Sequence, residues 1–152
     1  MSRRHLIEMS DEELRAFLLE QMVMQCATIG PRGLPHMVPL WYVPDGLQLT
    51  GWTYAKSQKA RNLERDPRAT IGIEDGVQYH ELRGVMFECE VGLERDPGAV
   101  ERFGLKLFRR YAGELGKEVR EMVAAQAPKR VGLTFTPNRI VSWDHRKLGG
   151  VY

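Results

Sequence analysis

Residues 22–52, MVMQCATIGPRGLPHMVPLWYVPDGLQLTGW, hold three extended runs cut by two turns, and this stretch decides the fold. From about Met22 to Ile29 the pattern is extended. Gly30-Pro31-Arg32-Gly33 breaks it, and Pro35 to Val43 reads as a second strand forming a hairpin with the first. Pro44-Asp45-Gly46 is the next turn signal, since Pro presets φ and Asp and Gly accept tight geometry. Leu47 to Trp52 is the third strand.

Upstream, Ser10-Asp11-Glu12-Glu13 is a capping box that opens a helix with Leu14, Phe17, Leu18 and Met22 at helical spacing. Its acidic start suits the helix dipole. Downstream, residues 53–68, TYAKSQKARNLERDPR, are polar and basic, helix-compatible between Ser57 and Arg65, and stopped by Asp66-Pro67. Ala69 to Ile73 is a short strand, and Asp75-Gly76 leads into a long extended stretch from about Tyr79 to Leu93. Asp96-Pro97-Gly98 opens a helix carrying Val100, Phe103, Leu107 and Tyr111 on one face. A second helix lies around Lys117 to Gln126. Two final strands, Val131 to Phe135 and Arg139 to Trp143, flank Thr136-Pro137-Asn138.

About seven strands joined mostly by tight turns predict a mainly β fold, a β-barrel with helical additions. The expected organisation is one domain over residues 1–152, with a short N-terminal tail at 1–9 and a helical insert at about 97–127. Strict βαβ alternation is absent, which argues against a Rossmann domain. No G-x-G-x-x-G follows a strand and no Walker loop is present.

Composition narrows the function classes. The chain has 152 residues, 43% hydrophobic and 28% charged, the balance of an ordinary globular domain. A net charge of +2 makes any basic function local and argues against nucleic acid as a partner. Met1 to Met9 has no apolar run of signal-peptide length, and no segment reaches the roughly 20 apolar residues of a membrane helix. Cys26 and Cys89 are far apart, without partners at metal-ligand spacing, and sit among apolar residues as small core thiols. The expectation is a reduced, cytoplasmic protein with neither membrane nor metal.

The chemistry concentrates in Lys56-Ser57-x-Lys59-x-Arg61-Asn62, where a strand hands over to a short helix. A helix start presents free N–H groups and partial positive charge, which suits a phosphate. Ser57 adds a hydroxyl, and Lys56, Lys59 and Arg61 add charge-assisted donors. A basic helix start is also the pattern of a plain solvated face, and these residues alone leave both readings open.

Three stretches give the segment its context. Ala27 to Trp41 (ATIGPRGLPHMVPLW), Lys56 to Arg68, and Val141 to Leu148 (VSWDHRKL) resemble the flavin and deazaflavin oxidoreductases of the split β-barrel class, the superfamily of pyridoxamine 5′-phosphate oxidase. With the spacing between them, the resemblance spans Met22 to Leu148, and the insert from Pro97 to Ala127 matches in kind only. Lys59 to Arg68 is most similar to the branch that uses coenzyme F-420, an 8-hydroxy-5-deazaflavin.

The resemblance implies a dimeric, FMN-binding-like split barrel whose cofactor lies at the subunit interface. It implies that Met37, Val38, Pro39 and Leu40 pass beside the cofactor's ring and ribityl chain. Thr50, Gly51 and Trp52 end the next strand near the same groove. Ser57 and Lys59, with Lys56, Arg61 and Asn62 in the same segment, hold the phosphate, and Trp143 approaches from the second subunit. The family's oxidase branch has an arginine-lysine pair after its serine, whereas this chain has Gln58 and Lys59, which argues against a pyridoxamine phosphate oxidase.

The function so implied is hydride transfer from coenzyme F-420, and the apolar and aromatic residues around the pocket favour a small, planar conjugated acceptor such as an enone, quinone or tetrapyrrole. FMN is the alternative cofactor, needing fewer cations than a phosphodiester carrying carboxylates. A non-enzymatic holder of haem, biliverdin or flavin is the third reading, and haem would call for an axial histidine. No catalytic residue stands out, as expected where a cofactor carries the chemistry. His80 beside Glu81, and Asp144 beside His145, cannot converge on one ion from neighbouring strand positions. Tyr42, Trp52 and Tyr54 are placed for ring contacts or for the core. Arg109, Arg110, Lys129 and Arg130 are either a solvated surface or the residues that meet an oligoglutamate cofactor tail.

Overall fold

In the computed structural model, which describes residues 3–150, the chain forms one antiparallel sheet and four α-helices among those residues. The strands are β1 (Met24–Ile29), β2 (Pro35–Leu40), β3 (Val43–Asp45), β4 (Gln48–Tyr54), β5 (Arg68–Asp75), β6 (Arg83–Glu94) and β7 (Arg130–Asp144). The helices are α1 (Asp11–Glu20), α2 (Gln58–Arg65), α3 (Pro97–Ala112) and α4 (Lys117–Gln126). Strand order is β2-β1-β5-β6-β7-β4-β3, so the long β6 and β7 form the spine. The sheet curls until the end of β2 meets β4. A Cβ on Gly51 would stand 3.1 Å from the Trp41 carbonyl oxygen and 3.8 Å from Leu40, so only glycine allows that approach without displacement. The result is a split barrel.

Period-two alternation decides what fills it. Met24, Cys26, Leu49, Ile71, Ile73, Val85, Phe87, Val131, Leu133 and Phe135 point inward and are buried. Leu14, Phe17 and Leu18 of α1 join that core, as do Ala60 and Leu63 of α2. Each large side chain so buried contributes about 1.5–3 kcal/mol. A second, smaller core lies outside the barrel wall, where α3 and α4 pack Val100, Leu107 and Val123 on Trp52. Gly104 of α3 permits this, because a Cβ there would meet the Trp52 ring at 2.5 Å.

The Ser10 capping box forms as the sequence predicts: Ser10 accepts from the Glu13 amide while Glu13 accepts from that of Ser10. Met22 falls outside α1, which ends at Glu20. The strand expected over Pro35 to Val43 divides after Leu40. Tyr42 turns inward there, and its buried hydroxyl lies 2.7 Å from the Leu18 carbonyl and 2.9 Å from that of Gln21. Tyr79–Glu81 is a 3-10 turn rather than strand, and β6 begins at Arg83.

The two final strands are one. Glu88 pairs with Arg139 and Cys89 with Pro137, which leaves Asn138 as the extra residue of a bulge. A bulge accommodates a proline that cannot donate to the ladder, so Thr136-Pro137-Asn138 bends the strand without ending it. Within the N-terminal tail, the residues from Ile7 onward are tied to the end of β7 and the turn after it. Ile7 accepts from the Asp144 amide at 2.7 Å, Met9 donates to the Ser142 hydroxyl at 3.0 Å, and Lys147 donates to the Glu8 carbonyl at 2.7 Å. Met1 and Ser2, the first residues of that expected tail, lie outside the described residues. No described helix is long and apolar enough to cross a membrane.

Candidate functional site

β4 runs straight into α2 through Ala55, Lys56 and Ser57, and this junction assembles the polar group of the site. Ser57 is the N-cap of α2: its Oγ accepts from the Ala60 amide at 3.1 Å. The amides of Gln58 and Lys59 stay without intrahelical acceptors in that first turn. Inside the barrel wall, Thr53 Oγ1 lies 3.4 Å from Ser57 Oγ and 3.3 Å from Lys59 Nζ. Three polar side chains thus converge at the helix start, with Lys56 exposed beside them.

Lys59 is the unusual member. The residue is only 6% exposed, and Thr53 is its one hydrogen-bond partner among the described residues. No carboxylate among them pairs with it. Burial holds its ammonium below the ordinary lysine range, against a weaker opposing effect of the Cys26 thiol. A buried cation without a counter-ion is costly unless an anion completes it. A phosphate at the α2 start would do so, and the donor set of lysine, hydroxyls and free amides fits that group.

The other expected cofactor contacts divide between two faces. Ladder register puts Val38 opposite Cys26 and Leu40 opposite Met24, on the inner side. Met37 lies opposite Ala27, on the outer side, and is 65% exposed. Following the register from Ala27 through Thr70 and Glu88 places Trp143 on that same outer face, its ring laid across Gly84. There an open groove of about 570 Å³ runs over Ala27, Ile29, Thr70, Glu88 and Asn138. Thr50 and Trp52 belong to the outer side of β4, beneath α3, where Thr50 donates to the Val43 carbonyl at 3.4 Å.

Within α2, Lys59 and Asn62 share the buried side, and Arg61 lies on the exposed one. Two residues apart on a helix is about 200°, so the Arg61 and Lys59 side chains leave in opposite directions. Asn62 braces the helix: its Nδ2 donates to Thr28 Oγ1 at 3.0 Å, and its Oδ1 accepts from Gln58 at 2.8 Å and from Arg65 at 3.3 Å. Its side-chain amide oxygen is thereby engaged within the protein.

At the seam where β2 meets β4, a groove of about 410 Å³ is lined by Pro39, Leu40, Trp41, Trp52, Phe108 and Arg130, with Val23 and Leu107. Trp41 stacks on Tyr111 at 4.2 Å, and Phe108 meets both tryptophans edge-on. Of the four late cations, Arg110 is no solvated surface group: it donates to the carbonyls of Leu18 at 3.1 Å and Gln21 at 2.6 Å. It therefore caps the end of α1.

This split barrel has known relatives. The profile of the pyridoxamine 5′-phosphate oxidase family matches residues 10–144. The chain belongs to that family. A conserved hypothetical protein from Mycobacterium tuberculosis is 42% identical, with a TM-score of 0.90 over 100% of this chain and 95% of that one. An F-420 reductase is 26% identical, with a TM-score of 0.68 over 83% of this chain and 94% of that one. A haem storage protein from Vibrio cholerae, 20% identical, has the same fold at a TM-score of 0.68, over 86% of this chain and 93% of that one. No curated protein matches the chain.

Set against the family's fold, the residues that sequence reasoning passed over are Thr53 and Trp41. Thr53 is the inward-facing residue four before Ser57, and that spacing at a strand end was its only signal. Trp41 reads as one more strand residue until the strand is seen to end at Leu40 and leave it at the groove's edge.

Proposed function

We propose that this chain is an oxidoreductase that binds a flavin-type cofactor by its phosphate at the α2 start, with coenzyme F-420 as the favoured cofactor. The observation that carries the reading is Lys59, a buried ammonium with a threonine hydroxyl and, among the described residues, no carboxylate for company. Family membership and the likeness to an F-420 reductase support the cofactor class.

Ser57, Lys59 and the first amides of α2 hold the phosphate, with Thr53 orienting the lysine and Lys56 adding charge from solvent. Met37 to Leu40 lie alongside the remainder of the cofactor, their backbone offering edge-strand donors and acceptors. The open outer face carrying Met37 and Trp143 is the dimer face in this reading, so that Trp143 of one subunit closes the site of the other. A bound deazaflavin supplies hydride transfer, and the chain's share is to bind, orient and keep water from the reacting face.

The same cradle serves FMN, whose single phosphate needs no more cations than Lys56 and Lys59 provide. Binding of a tetrapyrrole has less support: no histidine lines the aromatic groove. Titration of the purified protein with each cofactor, with Lys59 intact and replaced, tests the assignment.

A further inference from the structure

The groove at the β2–β4 seam contains a cation that the phosphate cradle does not use. Arg130 opens β7 opposite Tyr54, and its guanidinium carbon lies 4.0 Å from the Tyr54 ring centre and 4.5 Å from that of Trp52. Its Nε is buried and has no hydrogen-bond partner among the described residues. No ion pair or side-chain hydrogen bond involves Arg130 among the described residues. Every other described residue lining the groove is uncharged, and three of those are aromatic: Trp41, Trp52 and Phe108.

Stacking on aromatic rings fixes the guanidinium plane and leaves its N–H edge free to meet an anion in that plane. A carboxylate matches such an edge with two parallel hydrogen bonds. The apolar, ring-lined remainder of the groove suits a flat hydrophobic body. We propose that this groove binds a planar aromatic or conjugated carboxylic acid, with Arg130 pairing with its carboxylate. The inference rests on the proposed function in one respect: it makes this acid the hydride acceptor, because Pro39 and Leu40 line both the groove and the expected cofactor path.

The carboxylate could come from a substrate or from the glutamates of a cofactor tail, and the test separates the two. Binding of 2-naphthoate and of its neutral isostere 2-naphthamide is measured by calorimetry on the purified protein. Wild type, Arg130→Gln and Arg130→Lys are compared, each first shown folded by circular dichroism. Coenzyme F-420 and its tail-free fragment are titrated in parallel. The proposal expects naphthoate to bind about tenfold to a hundredfold more tightly than naphthamide. Arg130→Gln removes that preference, Arg130→Lys restores part of it, and cofactor affinity stays within about twofold.

Equal binding of the two naphthalenes by wild type overturns the proposal. So does an Arg130→Gln variant that keeps the preference for naphthoate. If Arg130→Gln weakens only the tailed cofactor, the cation serves the tail and the substrate assignment is wrong. A protein that binds neither cofactor defeats the functional reading, while the naphthoate comparison still decides the groove.

Discussion

Lys59 Nζ donates to Thr53 Oγ1 across 3.3 Å inside the barrel wall, and this is the only hydrogen bond of that ammonium among the described residues. The pair joins strand β4 to helix α2 at the point where a helix start already favours an anion. Desolvating a cation this far destabilises the cofactor-free protein. In the proposed function the opposing gain comes from a phosphate that completes the site, and that proposal links ligand affinity to apo stability through one side chain.

That linkage makes Lys59→Met informative. Methionine fills similar volume without charge, so the apo protein gains stability and its Tm rises by about 2–4 °C. Affinity for a phosphate-bearing cofactor falls by about tenfold or more. Differential scanning calorimetry and a fluorescence titration check the two halves, and a lower Tm with unchanged affinity would contradict both.

The same residue predicts a pH dependence. Burial lowers the folded-state pKa of Lys59 below the ordinary 10.5, so the unfolded chain binds more protons in the window between the two values. The wild type therefore recovers stability from Lys59 as pH rises through that window, and Lys59→Met does not. The stability gap between the proteins should narrow from neutral pH towards pH 10.5, measured by urea denaturation at each pH. A constant gap would mean that the lysine is not desolvated.

Asn62 holds α2 against β1 through the Thr28 hydroxyl, with both groups buried. Asn62→Ala leaves the Thr28 hydroxyl without that donor and should cost about 1–3 kcal/mol. The loss is read from the urea midpoint. Because α2 carries Ser57 and Lys59, cofactor affinity declines with it, whereas a variant of full stability would show the brace to be dispensable.

Arg110 ties α3 to the end of α1 through the Leu18 and Gln21 carbonyls and stacks on Tyr42, its guanidinium carbon 5.0 Å from the ring centre. Arg110→Ala should cost about 1.5–3 kcal/mol and speed hydrogen exchange in α1. Any preference for cofactor tail length should stay as in wild type. A change in that preference at unaltered stability would return Arg110 to the role of a tail contact.

Gly104→Ala tests how α3 rests on the sheet. The new methyl would meet Trp52 at 2.5 Å and Val123 at 2.8 Å, both of them buried. Overpacking of this kind costs about 1–3 kcal/mol. It should also shift tryptophan fluorescence, because Trp52 must move beneath Arg130.

Much of the barrel was legible because local signals and the burial pattern agree. The capping box at Ser10, the helix stop at Asp66-Pro67 and the alternation of β1 each arise within a few residues. What escaped depends on contacts distant in sequence. Tyr42 ends β2 early because it reaches the Leu18 and Gln21 carbonyls at the end of α1, and Pro137 continues a strand because β6 accommodates a bulge opposite it. The site was legible as a segment but not as a geometry. A run of Lys56, Ser57, Lys59 and Arg61 states composition, while helical rotation separates Lys59 from Arg61 and brings in Thr53 from the preceding strand. The role of Arg110 was hidden for the same reason, since its partners are about ninety residues away.

The most direct test of the central claim is a fluorescence titration of the cofactor-free protein with coenzyme F-420, with FMN, and with the phosphate-free form of each. It is run on wild type and Lys59→Ala. If the α2 start is the phosphate site, wild type binds a phosphate-bearing cofactor much more tightly than its phosphate-free form, and Lys59→Ala abolishes that difference, with F-420 preferred over FMN. If Lys59→Ala binds as wild type does, or the phosphate adds no affinity, the buried lysine is not a phosphate ligand and the cofactor assignment fails.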